Sequence, residues 1–171
     1  MIFTTKAEYG VRLLVELGCQ SVAGDDGGAP VSLKAIAETQ GLPLAYLERI
    51  VALLRKAGLV ESTRGAHGGY RLARDAADIS MDEVIIALEG AVAPMTCFVD
   101  DTENGRVLCN HEADSGHGCA TKLLWTRVQG GVFKALASTT LADLITFAQR
   151  TAPDHFPDTK TAPLPLAGNV A

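Results

Sequence analysis

From Ser32 to Arg74 the chain reads SLKAIAETQGLPLAYLERIVALLRKAGLVESTRGAHGGYRLAR, and the order of signals in that stretch decides the fold. Ser32 is a helix N-cap residue, and Leu33, Ile36 and Ala37 recur at helical spacing until Gly41 interrupts them. A second helix is predicted from about Pro43 to Lys56, with Leu47, Ile50, Val51 and Leu54 on one face. Proline is tolerated in a first helical turn because its missing N–H would have no partner there. Two short β patterns follow, Leu59 to Thr63 and Tyr70 to Ala73. The glycine-rich turn Arg64-Gly65-Ala66-His67-Gly68-Gly69 joins them as a hairpin. Helix, short turn, helix and glycine-turned hairpin is the order of a winged helix-turn-helix. In that arrangement the second helix enters the major groove of DNA and its N-terminal residues meet base edges.

The side chains suit that use. The outward residues at the start of the second helix are read as Pro43, Ala45, Tyr46 and Arg49. Arg49 can offer paired donors to a guanine edge, and Tyr46 can reach a base or a phosphate. Arg64 and His67 stand among glycines at the hairpin tip, and a narrow arginine-tipped loop can enter a minor groove, where the potential is most negative. Between Arg49 and Arg74 lie Arg49, Arg55, Lys56, Arg64, Arg71 and Arg74, opposed only by Glu61. The chain as a whole carries a net charge of -5 and a pI near 5.3. A basic face on an acidic protein is compatible with DNA binding, because interactions between exposed charges are short-ranged at physiological salt.

Around this centre the organisation is mainly helical. Thr5 to Leu17 reads as a helix, with Thr5 and Glu8 as its capping box, and the segment Gln20 to Pro30 reads as a loop. After the hairpin, Ser80 and Glu83 open another helix, Ile79 and Val84 form its hydrophobic staple, and Gly90 stops it. Ala91 to Gly118 has no sustained period, and an aperiodic stretch of that length is unusual unless it is functional or disordered. A long amphipathic helix is expected from Ala120 to Ala137, with the stripe Leu124, Val128, Val132 and Leu136 beside Trp125, although Gly130 and Gly131 interrupt it. Thr140 and Asp143 cap a last helix, Leu141 to Arg150, and the proline-rich tail after Thr151 is expected to be disordered. The division expected is a winged helix-turn-helix unit at 1–90, a cysteine-bearing loop at 91–119, a long helix with a C-terminal helix at 120–150, and a tail at 151–171. The fold class is mainly α with a small β-hairpin.

Composition narrows the setting. Hydrophobic residues make up 47% of the 171 and charged residues 20%, as in globular proteins with a core. No apolar run of about 18 residues is present, so no transmembrane helix and no membrane partner is expected. Lys6, Glu8 and Arg12 interrupt any signal-peptide core, so a reducing, cytoplasmic setting is expected and the four cysteines read as thiols or ligands. Cys97, Cys109 and Cys119 all fall in or at the end of the aperiodic segment, with eleven and nine residues between them. No C-x-x-C pair is present, so this is not a zinc-finger pattern. Cys119 stands at the start of the long helix, where a thiol's pKa is lowered and the metal-binding thiolate favoured. Three such thiols can close around a metal cluster, or around zinc with His111 or His117. Cys19, at the end of the first helix, reads as a small core residue.

The stretches Ser32 to Glu38, Tyr46 to Glu48, Leu54 to Val60, Arg64-Gly65 and Gly68 to Arg74, with Thr4-Thr5-Lys6 and Tyr9 at the start, resemble the Rrf-type family of bacterial winged-helix regulators. The resemblance spans about residues 1–150. It implies that Tyr46, Glu48 and Arg49 sit in the recognition helix and that Arg64 is the wing residue in the minor groove. Pro43 and Ala45 stand where some members have polar residues. It further implies that Cys97, Cys109 and Cys119 hold an iron–sulfur cluster, [2Fe-2S] or [4Fe-4S], and that the long helix pairs two subunits. Some members take a fourth ligand from a histidine after the third cysteine, where this chain has Lys122. Others take an acidic residue from the partner's first helix, where it has Glu8; Glu8 equally suits the reach-back place in the Thr5 capping box. The expected partners are a second copy of the chain and double-stranded DNA with an inverted-repeat site. The expected role is transcription regulation, commonly repression, driven by cluster status, redox state or nitric oxide. Zinc, thiol oxidation or a protein partner are the alternatives on the same fold. No nucleotide-binding glycine loop, paired catalytic carboxylates or nucleophile–base pair marks an enzyme.

Overall fold

The Ser32 hydroxyl accepts the Ala35 amide at 3.1 Å and starts helix α2, Leu33–Gln40. Gly41 ends it in the left-handed region, φ 63°, which lets the Gly41 and Leu42 amides reach back to the Glu38 and Ala37 carbonyls. Two residues later Pro43 occupies the cap of α3, Leu44–Lys56, so the proline stands just outside the helix. The computed structural model describes residues 3–22, 29–65, 68–90, 101–102, 106–107 and 120–150. In chain order these form α1 (Thr5–Val22), α2, α3, β1 (Val60–Thr63), β2 (Gly69–Leu72), a 3₁₀ turn (Ala76–Asp78), α4 (Met81–Glu89), β3 (Asp101–Thr102), β4 (Arg106–Val107), α5 (Ala120–Ala137) and α6 (Leu141–Gln149). The antiparallel pair β3–β4 lies inside the stretch that showed no period in the sequence, where strands of two residues leave no pattern to read.

The hairpin pairs Val60 with Leu72, Glu61 with Arg71, Ser62 with Tyr70 and Thr63 with Gly69. It is tied to the start of α2 by a further bridge. Val31 N–H donates to the Tyr70 carbonyl at 2.9 Å and Tyr70 N–H to the Val31 carbonyl at 2.8 Å. That bridge fixes the hairpin beside the α2–α3 pair.

One hydrophobic core joins α1, α2, α3, α4, β1 and α6. Leu13, Leu14, Leu17, Ile36, Leu47, Ile50, Leu54, Leu59, Ile79, Val84 and Leu141 are all at most 1% exposed, and Ile145 joins them. Burying a leucine or isoleucine stabilises a fold by roughly 1.5–3 kcal/mol, so this cluster positions everything attached to it. The starts of α4 and α6 are locked together. Met81 N–H donates to the Thr139 carbonyl at 2.9 Å and Leu141 N–H to the Ile79 carbonyl at 2.8 Å, which satisfies one unpaired amide at each helix start. The expected Thr140–Asp143 capping box is formed. Hydrogen bonds from the Thr140 backbone amide, and then from its side chain, hold the Asp143 carboxyl below its ordinary pKa. A carboxyl depressed in the folded state supports the fold above its unfolded pKa, and that support is lost as pH falls through the depressed value.

Two other expected capping boxes are not formed. Ser80 is the N-cap of α4, but its side chain makes no capping bond and Glu83 instead pairs with Arg74. Ile79 and Val84 are both fully buried, as their staple role requires. At α1 the cap moves one residue forward. The Thr4 hydroxyl oxygen accepts the Lys6 amide at 3.2 Å, and Thr4 is itself anchored to Glu89 at the end of α4. Glu8 therefore takes no part in capping; its carboxylate lies 3.9 Å from Arg12, one helical turn on.

Helix α5 runs without a break through Gly130 and Gly131. Its C-terminal part packs on the body, where Val132, Phe133 and Leu136 meet Ala7 and Ile85. Towards its start Leu123 is 60% and Leu124 56% exposed. No described atom lies within 4 Å of where a Cβ would stand on Gly130. Gly130→Ala is thus expected to stabilise by about 0.5–1 kcal/mol through the restricted unfolded chain and the better helix former. Thermal unfolding followed by circular dichroism checks this; a lowered midpoint would mean that another helix covers the glycine pair.

Candidate nucleic-acid interface and sensing site

The core holds α3 by Leu47, Ile50, Val51 and Leu54, so the opposite stripe faces outward. At about 100° per residue that stripe is Ala45, Arg49, Ala52 and Lys56, all exposed, flanked by exposed Glu48 and Arg55. Tyr46 differs from its sequence reading as an outward residue. It lies at the edge of the buried stripe and is half-buried, with its ring 5.7 Å from that of Tyr9 in an edge-on contact at 87°. Arg64 is exposed at the end of β1, beside the bridge that seats the hairpin. His67 lies outside the described residues.

Pairing sorts the basic residues of this region. Arg71 is paired with Glu61 across the hairpin, and Arg74 with Glu83 of α4. The Glu83 pairing, with its hydrogen bond, pushes the Arg74 pKa further up. Among the described residues Arg49, Arg55, Lys56 and Arg64 have no acidic partner and remain as unneutralised cations. These four carry no described counter-charge, whereas Arg71 and Arg74 do. The signal for Glu83 was absent from the sequence window because it lies on a later helix.

The first helix braces the helix pair from behind. Arg12 donates to the Gln40 backbone carbonyl at 2.6 Å and to the Gln40 side-chain oxygen at 3.2 Å. This is a cation held at the C-terminus of α2, where the helix dipole favours it. Gln40 in turn donates to Glu16 at 2.7 Å, and Gln20 to the other Glu16 oxygen at 2.8 Å. The Arg12 guanidinium also stands 6.0 Å from the Tyr9 ring centre. A chain of contacts therefore runs from Glu8 through Arg12 to the end of α2, and from Tyr9 to Tyr46 on α3. Sequence reading missed Arg12 and Gln40; residues 28 apart carry no local signal of their pairing.

Glu8 is exposed on α1 beside an opening of about 530 Å³ lined by Phe3, Ala7, Val11, Ile85 and Leu136. Cys97, Cys109 and Cys119, and the rival ligands His111 and His117, lie outside the described residues. Among the described residues no three histidine, cysteine or acidic side chains gather. Cys19 is half-buried against the core; burial, then the Glu16 carboxylate, pushes its thiol pKa up. That suits a packing role and disfavours the thiolate that metals need.

The family profile described as "Rrf2: Iron-dependent Transcriptional regulator" matches residues 3–146. The chain belongs to the Rrf2 family. Among relatives, it is 40% identical over 145 residues to protein rrf2 of Nitratidesulfovibrio vulgaris, a match covering 85% of this chain and 87% of that one. The solved structure of CymR, the global cysteine regulator of B. subtilis, matches with a TM-score of 0.66 at 36% identity, over 85% of this chain and 96% of CymR. That of T. potens IscR matches with a TM-score of 0.66 at 38% identity, over 86% of this chain and 88% of IscR. As an Rrf2 protein the chain is a DNA-binding transcriptional regulator of the winged helix-turn-helix kind, with α2–α3 as the helix pair and β1–β2 as the wing. Among the described residues of this Rrf2 chain, no helix is long and apolar enough to cross a membrane.

Proposed function

We propose that the chain is a homodimeric repressor that reads an inverted-repeat DNA site with α3 and Arg64. Its DNA affinity is set by an iron–sulfur cluster held by Cys97, Cys109 and Cys119, with Glu8 of the partner subunit as fourth ligand. The observation that carries this reading is the position of Glu8. Its carboxylate is free of helix capping, and its one ion pair among the described residues leads through Arg12 to the last turn of α2. A carboxylate oxygen is a chemically acceptable fourth donor beside three thiolates. An exposed pair 3.9 Å apart is worth at most about 1 kcal/mol, so Glu8 can leave Arg12 at little cost.

The coupling follows from the hydrogen bonds. With Glu8 on Arg12, the guanidinium is shared between α1 and the α2 carbonyl. With Glu8 withdrawn, Arg12 keeps its Nε and Nη2 bonds to Gln40 and its place by the Tyr9 face, and regulation would require that the loss of the Glu8 charge alter how α2 and α3 sit on α1. A difference in DNA affinity between the two arrangements is what regulation requires. When bound, the cluster supplies a centre sensitive to oxidants, iron supply or nitric oxide. The exposed leucines at the start of α5 suit pairing with a second α5, which would set two α3 helices facing successive major grooves. The role proposed is regulatory and cytoplasmic, with no catalysis.

Purification without oxygen, followed by a visible spectrum and a count of iron and sulfide per chain, tests the cluster. A brown protein with sulfide is expected, and Cys109→Ala should lose all of the visible absorbance. A retained spectrum in that variant would remove Cys109 from the ligand set. A protein that stays colourless after reconstitution would favour the second reading, a thiol- or zinc-based regulator. The likeness to CymR, a global cysteine regulator, gives that reading its support.

A further inference from the structure

The cap and the first exposed residues of α3 carry no hydrogen-bonding side chain. Pro43, Leu44 and Ala45 are exposed in succession, Leu44 at 38%, and Ala52 extends the outward stripe two turns on. Between and after them stand the unneutralised cations Arg49 and Lys56, with the exposed carboxylate of Glu48 on the flank one turn after Leu44. An apolar patch bordered mainly by free cations, with the one carboxylate of Glu48 to the side, does not match an acidic or an apolar surface alone. It matches the major groove, where a polyanionic backbone flanks base edges.

In that groove only thymine presents an apolar group, its C5 methyl; the other bases present donors and acceptors. An alanine or leucine pressed on those polar edges leaves them without partners, which is unfavourable. Building on the reading of α3 as the DNA-reading helix, we infer that Leu44 and Ala45 select a thymine by its methyl group, next to a guanine held by Arg49. The small side chains of Ala45 and Ala52 let the helix approach closely, and the long Arg49 spans the remaining distance. Ala45 and Arg49 are four residues apart, about 6 Å along the helix. Base pairs are about 3.4 Å apart, so the thymine lies one or two base pairs from the guanine.

The test uses the full chain purified without oxygen, and the same preparation after iron chelation, so that both states are sampled. Binding sequences are selected from randomised duplex DNA, and each thymine of the selected duplex is then replaced by deoxyuridine, which lacks only the methyl. One buried methyl is worth about 0.8 kcal/mol, so binding measured by fluorescence anisotropy should weaken about fourfold at one thymine per half-site. In Ala45→Gly or Leu44→Ala that sensitivity should shrink or vanish. The loss caused by 7-deazaguanine at the neighbouring guanine should persist. Tolerance of deoxyuridine at every thymine, or an undiminished penalty in both variants, overturns the inference while leaving DNA binding by α3 intact. Failure of both preparations to select any duplex would overturn the DNA reading itself and this inference with it.

Discussion

Replacing Arg49 with alanine should weaken binding to the selected operator by about ten- to hundredfold while leaving the fold intact. Loss of a paired arginine–guanine contact costs about 1–3 kcal/mol of discrimination. The same variant should relax the preference for guanine at one position of each half-site. Arg64→Ala should weaken binding about tenfold by a different route. A wing arginine answers to groove potential more than to a base edge, so its removal should lower affinity across sequences and reduce the salt slope by about one. Neither side chain forms an ion pair or a hydrogen bond among the described residues, and both residues are exposed. Neither removal takes a supporting contact from the structure. Thermal midpoints within about 2 °C of the parent, from changes within about 0.5 kcal/mol, are therefore part of the expected result. Titration of a fluorescent duplex at several salt concentrations separates the two effects. Unchanged affinity in the double variant would mean that the free cations of this face do not meet DNA.

Gly69→Ala is expected to unseat the wing. A Cβ on Gly69 would stand 2.5 Å from the Val31 carbonyl oxygen, 2.6 Å from its carbon and 2.9 Å from the Pro30 carbonyl carbon. All three are backbone atoms, so no side chain can swing aside. The strand before α2 must move, and the two hydrogen bonds between Val31 and Tyr70 stretch or break. With about 1 kcal/mol for each bond and added strain, the loss is about 2–4 kcal/mol, or a fall of roughly 5–15 °C in the midpoint. Affinity for DNA should fall further than stability alone explains, because the hairpin that carries Arg64 loses its tie to α2. A variant with an unchanged midpoint would show that this bridge does not hold the wing.

Much of the architecture was legible before any tertiary contact was known. The limits of α2, α3, α5 and the hairpin follow from a 3.6-residue period, an alternation and a few caps, and each is a property of neighbours along the chain. The Thr140–Asp143 capping box was legible for the same reason, since both partners lie within one turn. The basic cluster around α3 and the hairpin was legible as charge in the sequence. Which of its members are paired was not, because the neutralisation of Arg74 depends on a carboxylate from α4.

Where a side chain had two possible partners, the sequence could not choose between them. Glu83 could reach back to the start of α4 or out to Arg74, and it takes Arg74. Glu8 could cap α1 or meet Arg12, and the cap falls instead to Thr4, anchored by Glu89 from 85 residues away. For Glu83 a hydrogen bond between charged groups is stronger than one to a neutral amide, and for both residues the groups that come within reach are a consequence of packing. By itself, then, the sequence determined the order and extent of the helices and the wing, because local periodicity and capping suffice for that. Tertiary structure alone decided which cations stay unpaired among the described residues, that Tyr46 is half-buried against Tyr9, and that Arg12 joins Glu8 to the end of α2, because each depends on side chains brought together by the common core.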